Sequence, residues 1–315
     1  MKIAKVLATR LLYGLFSLIF ISFVVFMADE AAPGDRATVE MGEKARPEMV
    51  QQRRHELGLD RPWPIRYVEF VAGAAKLDFG KSWVGTKQPV SEQIAAQLPM
   101  TGKIALLAIL LAAAVGITLG TVAAIWQNKF PDGAVLTLST LGVTVPNFVL
   151  APVLGYLFAV VLDRLPLTYS TPNTSEFERL VLPVFILSLR PMALLTRLTR
   201  ASMIETLGQE FMKTAVAKGV PFWRRMLVHG LRNAITPVVT AVGTSFGFLL
   251  TGSFVVETAF GINGLGKAGI DAILSGDMPM VQATVLLGGG LFILVNLVVD
   301  LLGPILDPRM REAAT

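Results

Sequence analysis

The sequence contains no cysteine, which excludes disulfides, thiolate metal sites and cysteine nucleophiles. Histidine is nearly as scarce: His55 and His229 lie far apart in sequence, and each reads as an ordinary polar residue rather than a metal ligand. Charge is also in short supply. Only 16% of the 315 residues are Asp, Glu, Lys or Arg, while 53% are hydrophobic and the mean hydropathy is +0.61. Soluble globular chains carry roughly 25% charged residues. Too few polar side chains remain to cover a water-facing surface, so lipid covers part of it. A soluble enzyme of one or two domains is thereby excluded. The net charge of +5 would suggest nucleic-acid binding in a soluble protein, but here the placement of the charges matters more than their sum, and no nucleic-acid partner is expected.

What the sequence has instead is long apolar runs. Leu11–Met27 is 17 residues without a charge, Ile104–Trp126 is 23, Ala134–Leu162 is 29, Ile235–Val256 is 22 and Met278–Val299 is 22. A bilayer core of roughly 30 Å needs about 20 helical residues, so each of these predicts a crossing. A sixth candidate, Leu180–Thr196, is interrupted by Arg190 and Pro191. Ala134–Leu162 is longer than a straight crossing requires and holds Pro146 and Pro152, which predicts a tilted or kinked helix. Lys2, Lys5 and Arg10 precede the first run, as in a signal peptide, but Phe26-Met27-Ala28 is a poor cleavage site and a retained anchor is expected. The fold class is therefore all-α integral membrane with six transmembrane helices.

Basic residues in short loops set the orientation. With the N-terminus inside, segments 1–10, 127–133, 197–234 and 300–315 carry 13 Lys/Arg, against 3 in the outer loops 163–179 and 257–277. Both termini are expected on the cytoplasmic side. Residues 28–97 form an outer segment with 10 Lys/Arg and 11 Asp/Glu. Within it, Pro47–Leu57 reads as a helix stopped by Gly58, and Pro62-Trp63-Pro64 precedes a short apolar stretch, Tyr67–Ala75. This segment reads equally as an external docking or gating element and as a cap packed on the spans. The inner loop 197–234 is longer than a connector needs and carries seven basic and two acidic residues. Glu205–Lys218 has helical character, Gly219 and Pro221 make a break, and Phe222–Leu231 resumes a helical pattern. A structured cationic loop suits a partner protein or anionic lipid headgroups, though such a loop also serves to set topology.

Several motifs have bland readings. Gly261–Ala268 nearly spells the phosphate-binding loop G-x-x-x-x-G-K-[ST], but Ala268 lacks the magnesium-binding hydroxyl, the preceding segment is a membrane helix, and the loop faces outward. Gly116/Gly120 and Gly243/Gly247 are small-xxx-small pairs that read as helix packing, within the chain or across a dimer interface. Arg190 is the sharpest single residue. A cation about ten residues into a span must face protein or a water-filled path. It is either a pathway residue that meets an anionic group such as a carboxylate, or a structural partner of an acidic side chain. The spans hold no paired carboxylates, Ser/His/Asp set or metal-ligand cluster, and Glu257 and Asp300 sit only at span ends. That argues against an ion-coupled secondary transporter and for energy supplied from outside the bundle.

The inner loop carries a further signal. Arg197-Leu198-Thr199-Arg200-Ala201-Ser202-Met203, Gly208-Gln209-Glu210-Phe211, Thr214-Ala215-Val216-Ala217-Lys218-Gly219 and Leu231-Arg232-Asn233-Ala234-Ile235-Thr236-Pro237 closely resemble the B-type permease subunit of bacterial dipeptide/oligopeptide ABC importers. Further matches follow in order along the chain: Ala32-Pro33-Gly34-Asp35, Arg54–Asp60, Val143–Phe148, Val255–Phe260, Gly264-Leu265-Gly266, Val295–Leu302 and Leu306-Asp307-Pro308-Arg309. The family's loop signature, E-A-A, three residues, then G, is only partly kept. Its glycine maps to Gly219, but its first positions read Lys213-Thr214-Ala215, and the downstream proline is delayed to Pro237.

The resemblance implies a type I ABC importer permease fold: residues 1–27 as N-terminus and first helix, 28–97 as extracytoplasmic segment, 98–303 as a five-helix transmembrane domain, and 304–315 as a cytoplasmic tail. It implies a coupling helix within 197–234, with Glu210, Lys213, Thr214, Ala215, Lys218, Gly219 and Pro221 as residues that meet an ATPase, whereas position 190 is usually apolar in the family, so Arg190 stays a path candidate particular to this chain. It also implies partners: a second, C-type permease in a heterodimeric pore, two cytoplasmic ATPase subunits that bind ATP and Mg, and an extracytoplasmic substrate-binding protein. No catalysis and no cofactor are expected in this chain. The expected substrate is a di- or oligopeptide crossing the bacterial cytoplasmic membrane. Similar permeases carry nickel, glutathione or oligosaccharides, and a stand-alone ion-coupled transporter or a membrane-embedded enzyme are the readings from other classes.

Overall fold

The long apolar runs become helical, three of them as single helices and two broken. A computed structural model describes residues 2–31, 37–38, 45–85 and 87–306, and apart from an isolated bridge between Lys81 and Pro89 its regular structure is helical. The Ala32–Asp35 match and residues 307–315 lie outside the described residues. In chain order the helices are α1 (Lys2–Ala31), α2 (Pro47–Glu56), α3 (Trp63–Ala74), α4 (Val90–Ile125), α5 (Phe130–Thr144) and α6 (Asn147–Gly155). They continue as α7 (Glu176–Leu207), α8 (Glu210–Ala217), the single turn α9 (Phe222–Arg224), α10 (Arg232–Gly252), α11 (Phe254–Ala259), α12 (Leu265–Ser275) and α13 (Met278–Leu306). Wide π-helical turns, Tyr156–Val161 and Arg225–Leu231, extend α6 and lead into α10. Five segments are long and apolar enough to cross a bilayer, and α5 with α6 makes a sixth as a broken pair.

Two runs differ from their sequence reading. Ala134–Leu162 is not a gently kinked rod, since α5 and α6 meet at 98°. Pro146 has no N–H to donate and forces Val145 into an extended conformation (φ −84°, ψ 119°), which ends α5 outright. Ile235–Val256 breaks at Gly252-Ser253, so that Val255 and Val256 belong to α11. Conversely, Leu180–Thr196 lies inside an unbroken helix of 32 residues despite Pro183 and Pro191. Its start is fixed by a capping box: Ser175 Oγ accepts from Glu178 N at 3.3 Å, and Ser175 N donates to Glu178 Oε2 at 2.8 Å. Both prolines are buried, so the lost helical hydrogen bonds are outweighed by packing on the helix's neighbours.

The glycine pairs explain that packing. A Cβ on Gly116 would lie 2.8 Å from Met192 O, and one on Gly120 would lie 2.5 Å from Thr196 O, so α4 touches the backbone of α7. Gly243 and Gly247 of α10 instead make room for the side chains of Val299 and Phe292 of α13. Both pairs therefore work within the chain. The core lies where α4, α7, α10 and α11 meet, around Ile104, Ile186, Leu187, Val256 and Ile262. On the outside of this bundle α1 packs against α13, with Arg10 Nε 3.2 Å from Asp300 Oδ2.

Among the described residues, the 28–97 segment is fastened to the spans around Tyr67 and around Asp277. Tyr67 of α3 shares a 2.9 Å hydrogen bond with Ser22 of α1, set among Phe23 and Phe26, while Arg66 reaches Glu30 at 2.5 Å. Farther on, the buried Asp277 between α12 and α13 accepts from Ser82 Oγ and from Trp83 N at 3.1 Å. A cap packed on the helices is what this geometry builds.

Candidate functional site

The loop that follows α7 folds as a helix, a tight turn and a second helix. Gly208 and Gln209 end α7, so the helical stretch read as Glu205–Lys218 is two helices rather than one. Short α8 is held from beneath by a single buried side chain, Met212, packed on the wide turn Arg225–Leu231. Its outward face carries Glu210, Lys213, Thr214 and Lys218, all exposed, with Lys213 Nζ 2.7 Å from Glu210 Oε1. Ala215 is half-buried, and Gly219 and Pro221 are exposed at the turn. The loop residues singled out from sequence thus share one helix and the turn that ends it.

Gly219 closes α8 as a Schellman cap. Its φ of +71° lies in the left-handed region, its N–H reaches Val216 O at 2.9 Å, and Val220 N reaches Ala215 O at 3.1 Å. Around the turn stand Phe211, Val216, Phe222, Trp223, Leu227 and Val228, all large, apolar and exposed. An apolar patch rimmed by Lys and Arg, on α8 and at the very start of the bilayer-length segment Phe222–Gly252, has the composition of a protein-docking surface.

The loop is braced by an ion pair that the sequence did not announce. Arg200, two turns before the end of α7, donates from Nε and a terminal nitrogen to the two oxygens of buried Asp132, at 2.5 and 2.7 Å. Asp132 also accepts from Asn128 N at 2.8 Å, so one carboxylate joins the α4–α5 turn to the shaft leading into α8. The available clue was Asp132 after Pro131 in a first helical turn, which reads as ordinary capping.

At the opposite end a second buried acid organises the corner between α11 and α12. Glu257 is fully buried, and its carboxylate accepts from Ser253 Oγ at 2.6 Å, Thr101 Oγ1 at 2.8 Å and Lys267 N at 2.8 Å. Thr101 in turn accepts from Leu265 N at 2.8 Å, so these two side chains satisfy the first turn of α12. The phosphate-loop look-alike resolves here. Gly264 is pressed against the Glu257 carboxyl, Gly266 against the Phe254 backbone, and Gly261 holds φ +63°. Its glycines serve a tight corner. Nearby, Tyr169 N donates to Phe260 O at 2.8 Å. Burial pushes the Tyr169 phenol above its usual range, and the adjacent Glu176 carboxylate adds to the effect.

Arg190 lies at the middle of α7, on an exposed strip, and no acidic group among the described residues pairs with it.

Comparison with known proteins bears on both faces. Residues 116–312 match the family described as binding-protein-dependent transport system inner membrane component, and residues 3–105 match that family's N-terminal region. A Brucella abortus protein named as a peptide transport system permease is 38% identical over 298 residues, covering 93% of this chain and 95% of the relative. The glutathione transport system permease protein of Escherichia coli is 37% identical over 302 residues, covering 96% and 97%. An inward-facing structure of the methionine ABC transporter MetNI superposes with a TM-score of 0.52 at 16% identity, covering 70% of this chain and 96% of that one. That likeness supports the same bundle architecture.

Proposed function

Because the chain belongs to the family of binding-protein-dependent transport system inner membrane components, we propose that it builds one half of the path by which an ATP-driven importer carries short peptides across the cytoplasmic membrane. The observation that carries the substrate class is the near end-to-end match to relatives named for peptide and glutathione transport, both peptidic cargoes. In this reading the other half of the path is a C-type permease, and both termini face the cytoplasm. Two ATPase subunits bind ATP and Mg beneath it, and a binding protein delivers the peptide from outside.

The chain's own part is mechanical. The exposed face of α8, with Glu210, Lys213, Thr214, Lys218 and the Gly219 turn, is the surface an ATPase grips. Force enters there and passes to α7 through the short Gly208-Gln209 link and to α10 through the Arg225–Leu231 turn. The Arg200–Asp132 pair makes α7 and the α4–α5 turn move together. Outside, the Glu257 corner keeps α11 and α12 as one unit while the helices around them shift.

The test is reconstitution. The full complex in proteoliposomes accumulates a labelled dipeptide only with ATP and the binding protein, whereas the chain alone accumulates nothing. Uphill accumulation by the isolated chain would overturn this reading in favour of an ion-coupled carrier.

A further inference from the structure

The main neighbours of α7 are α4, α10 and α5, and α6, α11 and the Arg225–Leu231 turn touch it as well. Gly116 and Gly120 of α4 press on one side, Gly142 of α5 faces α7 on a second, where an added Cβ would lie 3.7 Å from the Ala193 Cβ, and Val238 of α10 packs with Leu195 on a third. One strip stays open, and it carries Arg190, Leu194, Arg197 and Ala201. Arg190 and Arg197 are seven residues apart, two helical turns or about 10 Å, so they stand one above the other. Arg190 is 14 residues from Glu176, about 21 Å along a helix that is itself about 48 Å long.

The two arginines contrast with Arg200 on the same helix. Arg200 is half-buried and gripped at two points by Asp132. Arg190 and Arg197 have no carboxylate against them among the described residues. Mid-helix is the least tolerable place for a guanidinium to meet hydrocarbon, because the group stays charged at every physiological pH. The strip therefore faces water or protein. Lipid is excluded at the level of Arg190.

We propose that Arg190 and Arg197 form a two-step cationic ladder on the wall of the path, and that the ladder takes the free carboxylate of the passing substrate. This inference rests on the importer reading above. A guanidinium offers two parallel N–H donors to a carboxylate, and a water-exposed one holds it without trapping it. Two such sites in series suit transport, which needs each site to be attractive enough to enter and weak enough to leave. Leu194 between the rungs gives peptide side chains an apolar surface without dictating their identity. The ligand class is a small solute with a free terminal carboxylate, and peptides of varied sequence belong to it.

The experiment uses the complete complex in proteoliposomes with saturating binding protein, whose affinity for each peptide is measured separately. ATP-driven uptake is followed for a dipeptide with a free C-terminus and for its C-terminal amide. Arg190→Gln is expected to lower uptake of the free acid about tenfold, the scale of one charge-assisted hydrogen bond, and to leave the amide within about twofold. Arg190→Lys retains part of the preference, Arg197→Gln shows the same selective loss to a lesser degree, and Arg190→Glu reverses the preference. Equal loss for acid and amide, or no loss for either, overturns the ladder. So does failure of Arg190→Gln to co-purify with the second permease, which would make Arg190 an interface ion-pair partner. Failure of the unmodified complex to take up either peptide overturns the peptide-importer reading itself, and the two failures are read from different samples.

Discussion

Thr101 and Glu257, 156 residues apart in the chain, share a 2.8 Å hydrogen bond in a site closed to solvent. Thr101 Oγ1 donates to the carboxylate and accepts from Leu265 N, so a single hydroxyl connects α4, α11 and α12. Thr101→Val keeps the volume and removes both bonds. Leaving the Leu265 N–H without an acceptor and the buried Glu257 carboxylate short of one donor should cost about 1–3 kcal/mol. Thermal unfolding of the purified protein in detergent should show a lowered midpoint. Glu257→Leu should be worse, because it strands Ser253, Thr101 and the Lys267 N–H together. An unchanged midpoint in both variants would mean that the corner is held by apolar packing alone.

The contact between α4 and α7 gives a paired test with its own control. Gly120→Ala would place a methyl carbon 2.5 Å from Thr196 O and 2.7 Å from Thr199 Cβ, where no flexible side-chain end stands to give way. The helices must separate, at about 1–3 kcal/mol for overpacking. Gly102→Ala, on the same helix with open space around it, should be neutral or stabilising by up to about 1 kcal/mol through helix propensity. Melting points moving in the same direction for both would show that the close approach is not what Gly120 is for.

The contrast between these two glycines shows where sequence reading stops. Apolar runs report their own existence, because only a helix of bilayer length satisfies its backbone in lipid, and so the spans were legible. Pro146 predicted a kink, but its 98° size depends on what lies beyond the break to receive α6. Gly116/Gly120 announced a close helix contact without naming the partner, which is α7. Glu257 was legible only as an acid near a span end. Its three donors come from α4, the α10–α11 junction and α12, and no spacing in the chain brings them together. Gly219 was readable because a helix cap is local. Arg190 was visible as a cation in an apolar run, whereas its open strip became visible only once the neighbouring helices, chiefly α4, α5 and α10, had covered the other faces of α7.

Arg200 and Asp132 lend themselves to a double-mutant cycle. Asp132→Asn leaves the guanidinium with a neutral partner in a half-buried site, and Arg200→Lys replaces a two-pronged donor with a single point charge. Each single change should destabilise by about 2–4 kcal/mol, since breaking one side of a buried pair strands the other. The pair's coupling is measured by how far the double variant, Asp132→Asn with Arg200→Lys, departs from the sum of the singles. Strict additivity of the melting shifts would show that the two groups are neighbours without energetic dependence. In the complex, the singles should also weaken the link between ATP hydrolysis and uptake, because α7 would no longer carry the α4–α5 turn with it.

Gly219 separates a conformational demand from a steric one. Nothing lies within 4 Å of where its Cβ would be, so the requirement is the φ of +71° and nothing else. A non-glycine L-residue in that region costs roughly 1–2 kcal/mol, and a β-branched residue is the least tolerant. Asparagine is the usual exception. Gly219→Val should therefore reopen the end of α8 and displace the exposed turn at Pro221, while Gly219→Asn should preserve both. Because Gly219 is far from the bundle core, both variants should insert and melt as the parent does. The difference should appear in the complex: Gly219→Val loses ATPase co-purification or hydrolyses ATP without uptake, and Gly219→Asn behaves close to the parent. Normal ATP-driven uptake by Gly219→Val would mean that the turn is not part of the coupling surface, and α8 would then lose its proposed role.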